Sequence, residues 1–457
     1  MTMKPYGIDA DRLKAMRIRE DAAFAERTRN SQRLHERAKA SMPCGVPMQW
    51  MAGLYRHAPI HVTSGEGACF EDVDGNRYLD MNLADLAAFL GFAPEPVTRA
   101  IAARAPMGAS FLLPQEDGIA ACELLAEKTG MPFWQFSGSA SSANTEALRI
   151  ARFATGREKI VTFEGRYHGH IDDTLAAHST DEHEPEAMGL PRRSADHHMS
   201  IPFNDLDRLE TALSRGDVAC VIAEPMLTNC NIVFPDEGFW PQARALIDAA
   251  GALLIIDEAH CFSFAHGGLT ANWSLAPDIM TLGKGIGTGL PFACFGLSSE
   301  LGKLVEENLD VDVSAPAGLA LGGTTYANTL ALSAARAALE HSLTPAAYAH
   351  AATLGRQLGD GLLDIFTRHG LNWRAPVVGG RSGWVLFPDL PRNAREAETS
   401  LDPEFTDTKR VFMANRGVWE AVASAGPAAS FAHTGDDIGR YLAVSDEFVS
   451  QLCTRHT

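Results

Sequence analysis

Six short apolar runs, each closing on small or polar residues, alternate with helical stretches between residues 133 and 298, and this alternation restricts the fold more than any other feature. The runs read FWQFSGS, KIVTFEG, VACVIAEPM, ALLIIDEAH, IMTLGKG and FACFGLS, with stretches such as SANTEALRIARFATG and FWPQARALIDAAG between them. Continuous apolar strands joined by helices predict an α/β fold with a mainly parallel sheet covered on both faces. Ligands of such sheets bind beyond the carboxyl ends of the strands. Those ends carry Ser139 and Ser141, Tyr167 and His168, Glu224, Asp257 and Lys284.

The 457 residues exceed one small core, and 46% apolar with 21% charged residues suits an ordinary globular chain of two or three structural units. Thirty-nine basic against 57 acidic residues give a net charge of −18, which argues against nucleic acid as a partner. The N-terminal stretch has no apolar signal region, and no run approaches the ~18 apolar residues of a membrane span, so a cytoplasmic protein without membrane contact is expected. Eight scattered cysteines without a CxxC pair read as reduced and mostly buried. Segment 178–199 holds four histidines, but no two combine helical spacing with an acid partner, so a loop near the site is preferred to a metal centre.

Residues 9–40 mix helix formers with charges of both signs and read as one or two exposed helices, solvated, dimer-clasping or a partner-binding arm. GACFEDVDGNRYLDM (67–81) reads as a hairpin around an Asp-Gly turn. The expected division is an N-terminal helical segment over 1–67, a large domain over 68–335 and a small C-terminal α/β domain over 336–457.

Asp257 closes the run IID of IIDEAH, but there is no GxxxxGK[ST] loop to make it a magnesium ligand beside a nucleotide. It therefore needs another cation, and a protonated pyridine nitrogen meets the need. Lys284 stands 27 residues later in TLGKGIG among small, apolar neighbours, either on an exposed glycine-rich turn or at the floor of a site. An acid for the ring nitrogen and a lysine for an imine are what pyridoxal 5′-phosphate (PLP) requires.

The pairing of IIDEAH with TLGKGIGTGLPFACFG resembles the class III, ornithine-type aminotransferases of fold type I, and within them the glutamate-1-semialdehyde aminomutase-like branch. The resemblance runs from about residue 60 to the end of the sequence. It implies a large PLP-binding domain, a smaller α/β lobe and a homodimer with active sites at the interface. FSGSASSANTEALRIAR matches the family's phosphate turn, so Ser139, Ala140 and Ser141 would hold the phosphate. FEGRYHGH matches its YHG element, with Tyr167 stacking on the pyridine and His168 in the cofactor set. Glu224 of AEPM would lie near the ring hydroxyl and the substrate side, and Thr324 of GGTTYAN, or the adjoining Thr325, would reach the phosphate of the neighbouring subunit. Lys284 would be both imine anchor and general base.

The main expectation is transamination between an amine or amino acid with a hydrophobic substituent and a keto acceptor. An aminomutase or an amino-acid racemase or epimerase is the enzymatic alternative; a catalytically silent PLP-binding protein is a further rival. The phosphate turn departs from the family's S-G-T-E as Ser139-Ala140-Ser141-Ser142, and the family's LGHxHP reads LGFAPEP. The segment GVPMQWMAG (45–53) carries no arginine where relatives bind a carboxylate, and offers Trp50, which could line the substrate or simply pack the lobe. Arg381 of GGRSGW, ahead of Arg56, is the candidate for supplying a carboxylate fork from elsewhere.

Overall fold

The computed structural model describes residues 3–54, 57–175, 189–191, 196–308, 318–421 and 426–453. The chain forms two compact units, one of residues 1–94, 349–390 and 398–457, the other of residues 95–348 and 391–397.

In the first unit, Val62–Glu66 (β1), Cys69–Asp72 (β2) and Arg77–Asp80 (β3) form an antiparallel meander, and β3 pairs in parallel with Val418–Trp419. The Asp-Gly turn between β2 and β3 is held by Asp72, whose Oδ1 accepts from the amides of Asp74 (2.9 Å) and Asn76 (2.8 Å). Because β3 hydrogen-bonds to a strand 339 residues further on, the hairpin belongs with the C-terminal segment. The units accordingly divide at 94/95 and 348/349, whereas the sequence reading put boundaries at 67/68 and 335/336.

The N-terminal stretch forms two helices, Ala10–Arg27 and Arg29–Ala38, but the first is not simply exposed. Leu13, Met16, Glu20 and Phe24 recur every three or four residues, and this face is buried. Leu13 and Met16 join Trp373, Phe405, Phe412 and Phe448 in the unit's core. The interleaved charges occupy the other faces and mask the stripe. After β3, Leu83, Ala84, Asp85 and Leu86 all have positive φ, a left-handed turn that only an over-determined setting tolerates in residues with a Cβ. Asp80 supplies part of that setting, its Oδ1 accepting from the amides of Asn82 (2.8 Å) and Leu83 (3.0 Å).

The second unit is built on a seven-stranded sheet of Phe133–Ser137 (β4), Lys159–Phe163 (β5), His198–Ile201 (β6), Val218–Ala223 (β7), Leu253–Asp257 (β8), Ile279–Leu282 (β9) and Ala293–Leu297 (β10). Its order is β4-β10-β9-β8-β7-β5-β6, and only β10 runs against the others. The expected mainly parallel sheet is present. Every residue of β7, β9 and β10 is buried, which is why these strands, Thr281 apart, read as apolar runs rather than alternating ones. Alternate residues pack on the two faces: Val221, Leu254 and Ile256 on one side, Cys220, Ile222 and Ile255 on the other. Cys220, Cys230, Cys261 and Cys294 are buried, Cys44 is exposed, and all eight cysteines are free. Among the described residues no helix is long and apolar enough to cross a membrane.

Candidate active site

Strand register puts the chemistry on one edge. Ala223 pairs with Ile256 and Asp257 with Thr281, so Glu224, Asp257 and the segment leading to Lys284 emerge from adjacent parallel strands at their carboxyl ends. β4, two strands further along, ends at Ser137 on the same edge and leads into Ser139, which caps the helix Ala140–Thr155. The Ser139 hydroxyl accepts from the Ser142 amide (3.2 Å), leaving the amides of Ala140 and Ser141 as first-turn donors. Such a terminus favours an anionic group through its amides and the helix dipole.

Asp257 is buried and hydrogen-bonded on both oxygens. Its Oδ2 accepts from His168 Nδ1 (3.0 Å) and Asn144 Nδ2 (2.8 Å), and its Oδ1 from the Ala259 amide (3.0 Å). Burial pushes the carboxyl up, but His168, the Ala259 amide and Asn144 outweigh it and hold Asp257 below the ordinary aspartate range. Asn144 is itself pinned, donating to the His168 carbonyl (2.9 Å) and accepting from Thr281 Oγ1 (2.6 Å). His168 Nε2 is buried without a hydrogen-bond partner among the described residues.

Lys284 opens a one-turn 3₁₀ segment, Lys284–Gly287, with φ +51°, and is half-buried. Neither sequence alternative, exposed turn or buried floor, describes it fully. The glycine before it has a steric reason: a Cβ on Gly283 would lie 2.8 Å from Ala140 Cβ and 3.4 Å from the Ala140 nitrogen. The lysine turn and the capped helix terminus thus approach backbone to backbone. Gly169 serves the same edge, since at φ +98° its Cβ would fall 2.3 Å from Ser141 Oγ, which accepts from the His170 amide (2.9 Å). The serine of the capped turn and the loop carrying His168 are thereby tied together.

Glu224 is buried beside residues that pattern reading missed. Thr228 Oγ1 donates to Glu224 Oε2, Asn229 Nδ2 donates to Oε1 (3.1 Å), and His260 Nδ1 stands 2.5 Å from Thr228 Oγ1. Tyr167 is 50% exposed and Thr324 is exposed. In the other unit, Trp50 is 54% exposed on the short 3₁₀ segment Gln49–Gly53, while Arg381 is wholly buried in the strand Arg381–Ser382. Arg56 and most of the histidine-rich segment lie outside the described residues. Asn144 carried a legible signal, a polar residue among Ala143, Ala147, Leu148 and Ala151 on the buried helix face; Thr228 and His260 carried none.

Glu258, next to Asp257, behaves oppositely. It is fully buried, Oε1 accepts from Thr270 Oγ1 (2.6 Å), and burial, with a smaller push from the Asp257 charge, raises its carboxyl to about 7 against the bonds from Thr270. An acid raised from an ordinary value of 4.5 costs nothing below that pH, and its burial penalty grows as pH climbs to about 7. Glu258→Gln, which keeps the acceptor oxygen, is therefore expected to stabilise the protein at pH 8 by up to about 3 kcal/mol. Denaturation midpoints measured across pH should show the gain shrinking toward pH 5; a gain that grows on acidification would contradict it.

The family model for class-III aminotransferases matches residues 51–395. A glutamate-1-semialdehyde 2,1-aminomutase of Chloroflexus aggregans is 34% identical over 447 residues, 93% of this chain and 99% of the relative. Among solved structures, a lysine-to-alanine variant of a glutamate-1-semialdehyde aminomutase from Pseudomonas aeruginosa PAO1, in complex with PMP, superposes with a TM-score of 0.92 at 31% identity, covering 98% of this chain and 100% of that one. An omega-transaminase from Sphaerobacter thermophilus follows with a TM-score of 0.84 and 26% identity, over 92% and 97% of the two chains.

Proposed function

Since the chain belongs to the class-III aminotransferase family, whose members are fold type I PLP enzymes, we propose that it is a PLP-dependent aminomutase, moving an amino group between neighbouring carbons of one small amino compound. The observation that carries this reading is similarity along nearly the whole chain to relatives named as aminomutases, at 34% and 31% identity. The preference in the sequence reading for intermolecular transamination gives way to what it held as the alternative. Amino transfer to a separate keto acceptor stays as the second reading, favoured by the arginine-free, Trp50-bearing segment and by the omega-transaminase likeness.

The residues fit PLP: a buried acid held ionised, a His168 Nε2 without a hydrogen-bond partner among the described residues, a lysine on the adjacent strand end and a capped helix terminus that Gly283 allows the lysine turn to approach. When bound, PLP supplies an aldehyde for amines and a ring that withdraws electrons from the carbon losing its proton. Asp257 holds the proton on the ring nitrogen, and His168 and Asn144 orient the Asp257 carboxylate. Ser139, Ala140 and Ser141 bind the phosphate with amides and hydroxyls, with Thr324 of a second copy in a homodimer completing that set. Tyr167 covers the ring face and Glu224 takes the ring hydroxyl. Lys284 Nζ removes the proton from the substrate carbon and returns it at the neighbouring position. The substrate is a small amine or amino acid, with Trp50 lining its apolar part; Arg381, wholly buried, is the weaker of these two substrate assignments.

Loaded protein incubated with single amino aldehydes and amino acids, without acceptor, tests the reading. Catalytic formation of an isomer of unchanged mass with the amino group on the neighbouring carbon supports an aminomutase, whereas an isomer that differs only in configuration removes that reading. Turnover that appears only when a keto acid is added, with a keto product released, supports transamination and removes the aminomutase reading.

A further inference from the structure

Glu224, Thr228 and His260 make a buried chain of hydrogen bonds at the edge that carries Asp257, and none of the roles above uses Thr228 or His260. All three are at least 94% buried. Glu224 follows Ala223, the register partner of Ile256, so it emerges beside Asp257, and His260 lies three residues beyond Asp257 on the loop leaving β8. Thr228 has one proton, which it donates to Glu224 Oε2, so its oxygen accepts from His260 Nδ1 at 2.5 Å. His260 Nδ1 and Glu224 Oε2 stand 3.9 Å apart, too far for a direct hydrogen bond, with the hydroxyl bridging them. Asn229 fixes the remaining Glu224 oxygen.

We propose that Thr228 relays a proton between His260 and Glu224, making His260 and Thr228 positioning residues that set the protonation of the acid on the hydroxyl side of the cofactor. The inference rests on the PLP reading above. In the forward step the His260 Nδ1–H bond breaks as an O–H bond forms at Thr228, while the original Thr228 proton moves to Glu224 Oε2. An imidazolium–carboxylate pair becomes a neutral imidazole and a neutral carboxylic acid. No charge leaves the cluster and no other reactant is needed. Among the described residues, nearby ionisable groups also bond to other partners: Asp257 to His168 and Asn144, Glu258 to Thr270, and the Tyr348 hydroxyl, which feels the Glu258 charge, to the Phe262 carbonyl.

The test is the pH titration of cofactor absorbance in the loaded protein without substrate. T228V, which keeps the shape and loses the hydroxyl, is expected to move the midpoint by about one pH unit, with T228S staying within a few tenths of wild type. H260Q, which cannot become cationic, should move the midpoint as T228V does, and provides the reading if T228V does not fold. Midpoints of T228V and H260Q that coincide with wild type would overturn the relay. Wild-type protein that shows no cofactor absorbance would instead overturn the PLP reading, so the two failures are distinct.

Discussion

Lys284→Ala is expected to lower turnover by more than about 10³-fold, since in the proposed function one side chain serves as both amine anchor and proton carrier. The backbone should not notice the change, because lysine and alanine both carry a Cβ and meet the same strain at φ +51°. PLP should still bind, through the helix terminus at Ser139 and the Asp257 carboxylate, but without a covalent link. Borohydride reduction followed by intact-mass measurement checks both halves: wild type gains the mass of the cofactor and the variant does not. Substantial residual turnover in a folded, loaded variant would take Lys284 out of both roles.

Asp257→Asn is the second large effect. The amide keeps the shape and can still accept from His168, but it cannot hold a proton on a ring nitrogen as an anion can. A loss of about 10² to 10³ in kcat/KM is expected from removing one aligned charge in a buried site. The ionised state of Asp257 is maintained by three donors from three segments, the His168 ring, the Asn144 amide group and the Ala259 backbone. His168→Ala should therefore give a smaller loss in the same direction. Rates within twofold of wild type for Asp257→Asn, at full cofactor loading, would mean that Asp257 is a structural acid only.

The strands and the edge that carries Asp257 and the Lys284 segment were legible because each depends on local pattern. Strands buried on both faces are mainly apolar, so β7, β8 and β9 stand out as runs, and the residue that ends each run marks the edge. The buried face of Ala10–Arg27 was also written in its spacing, but charges on the other faces obscured it. Amino transfer and amino migration can share a lysine and an acid, so local motifs did not separate them; similarity over the whole chain shifted the balance.

What the sequence by itself determined is therefore the period of each element and the residue at its end. Only the tertiary structure decided which of those residues share a site. Asn144 meets Asp257 across 113 positions and Thr281 across 137, and Thr228 meets His260 across 32. Hydrogen bonds act over about 3 Å, and which chain segments come that close follows from the order of strands in the sheet, which no local period encodes.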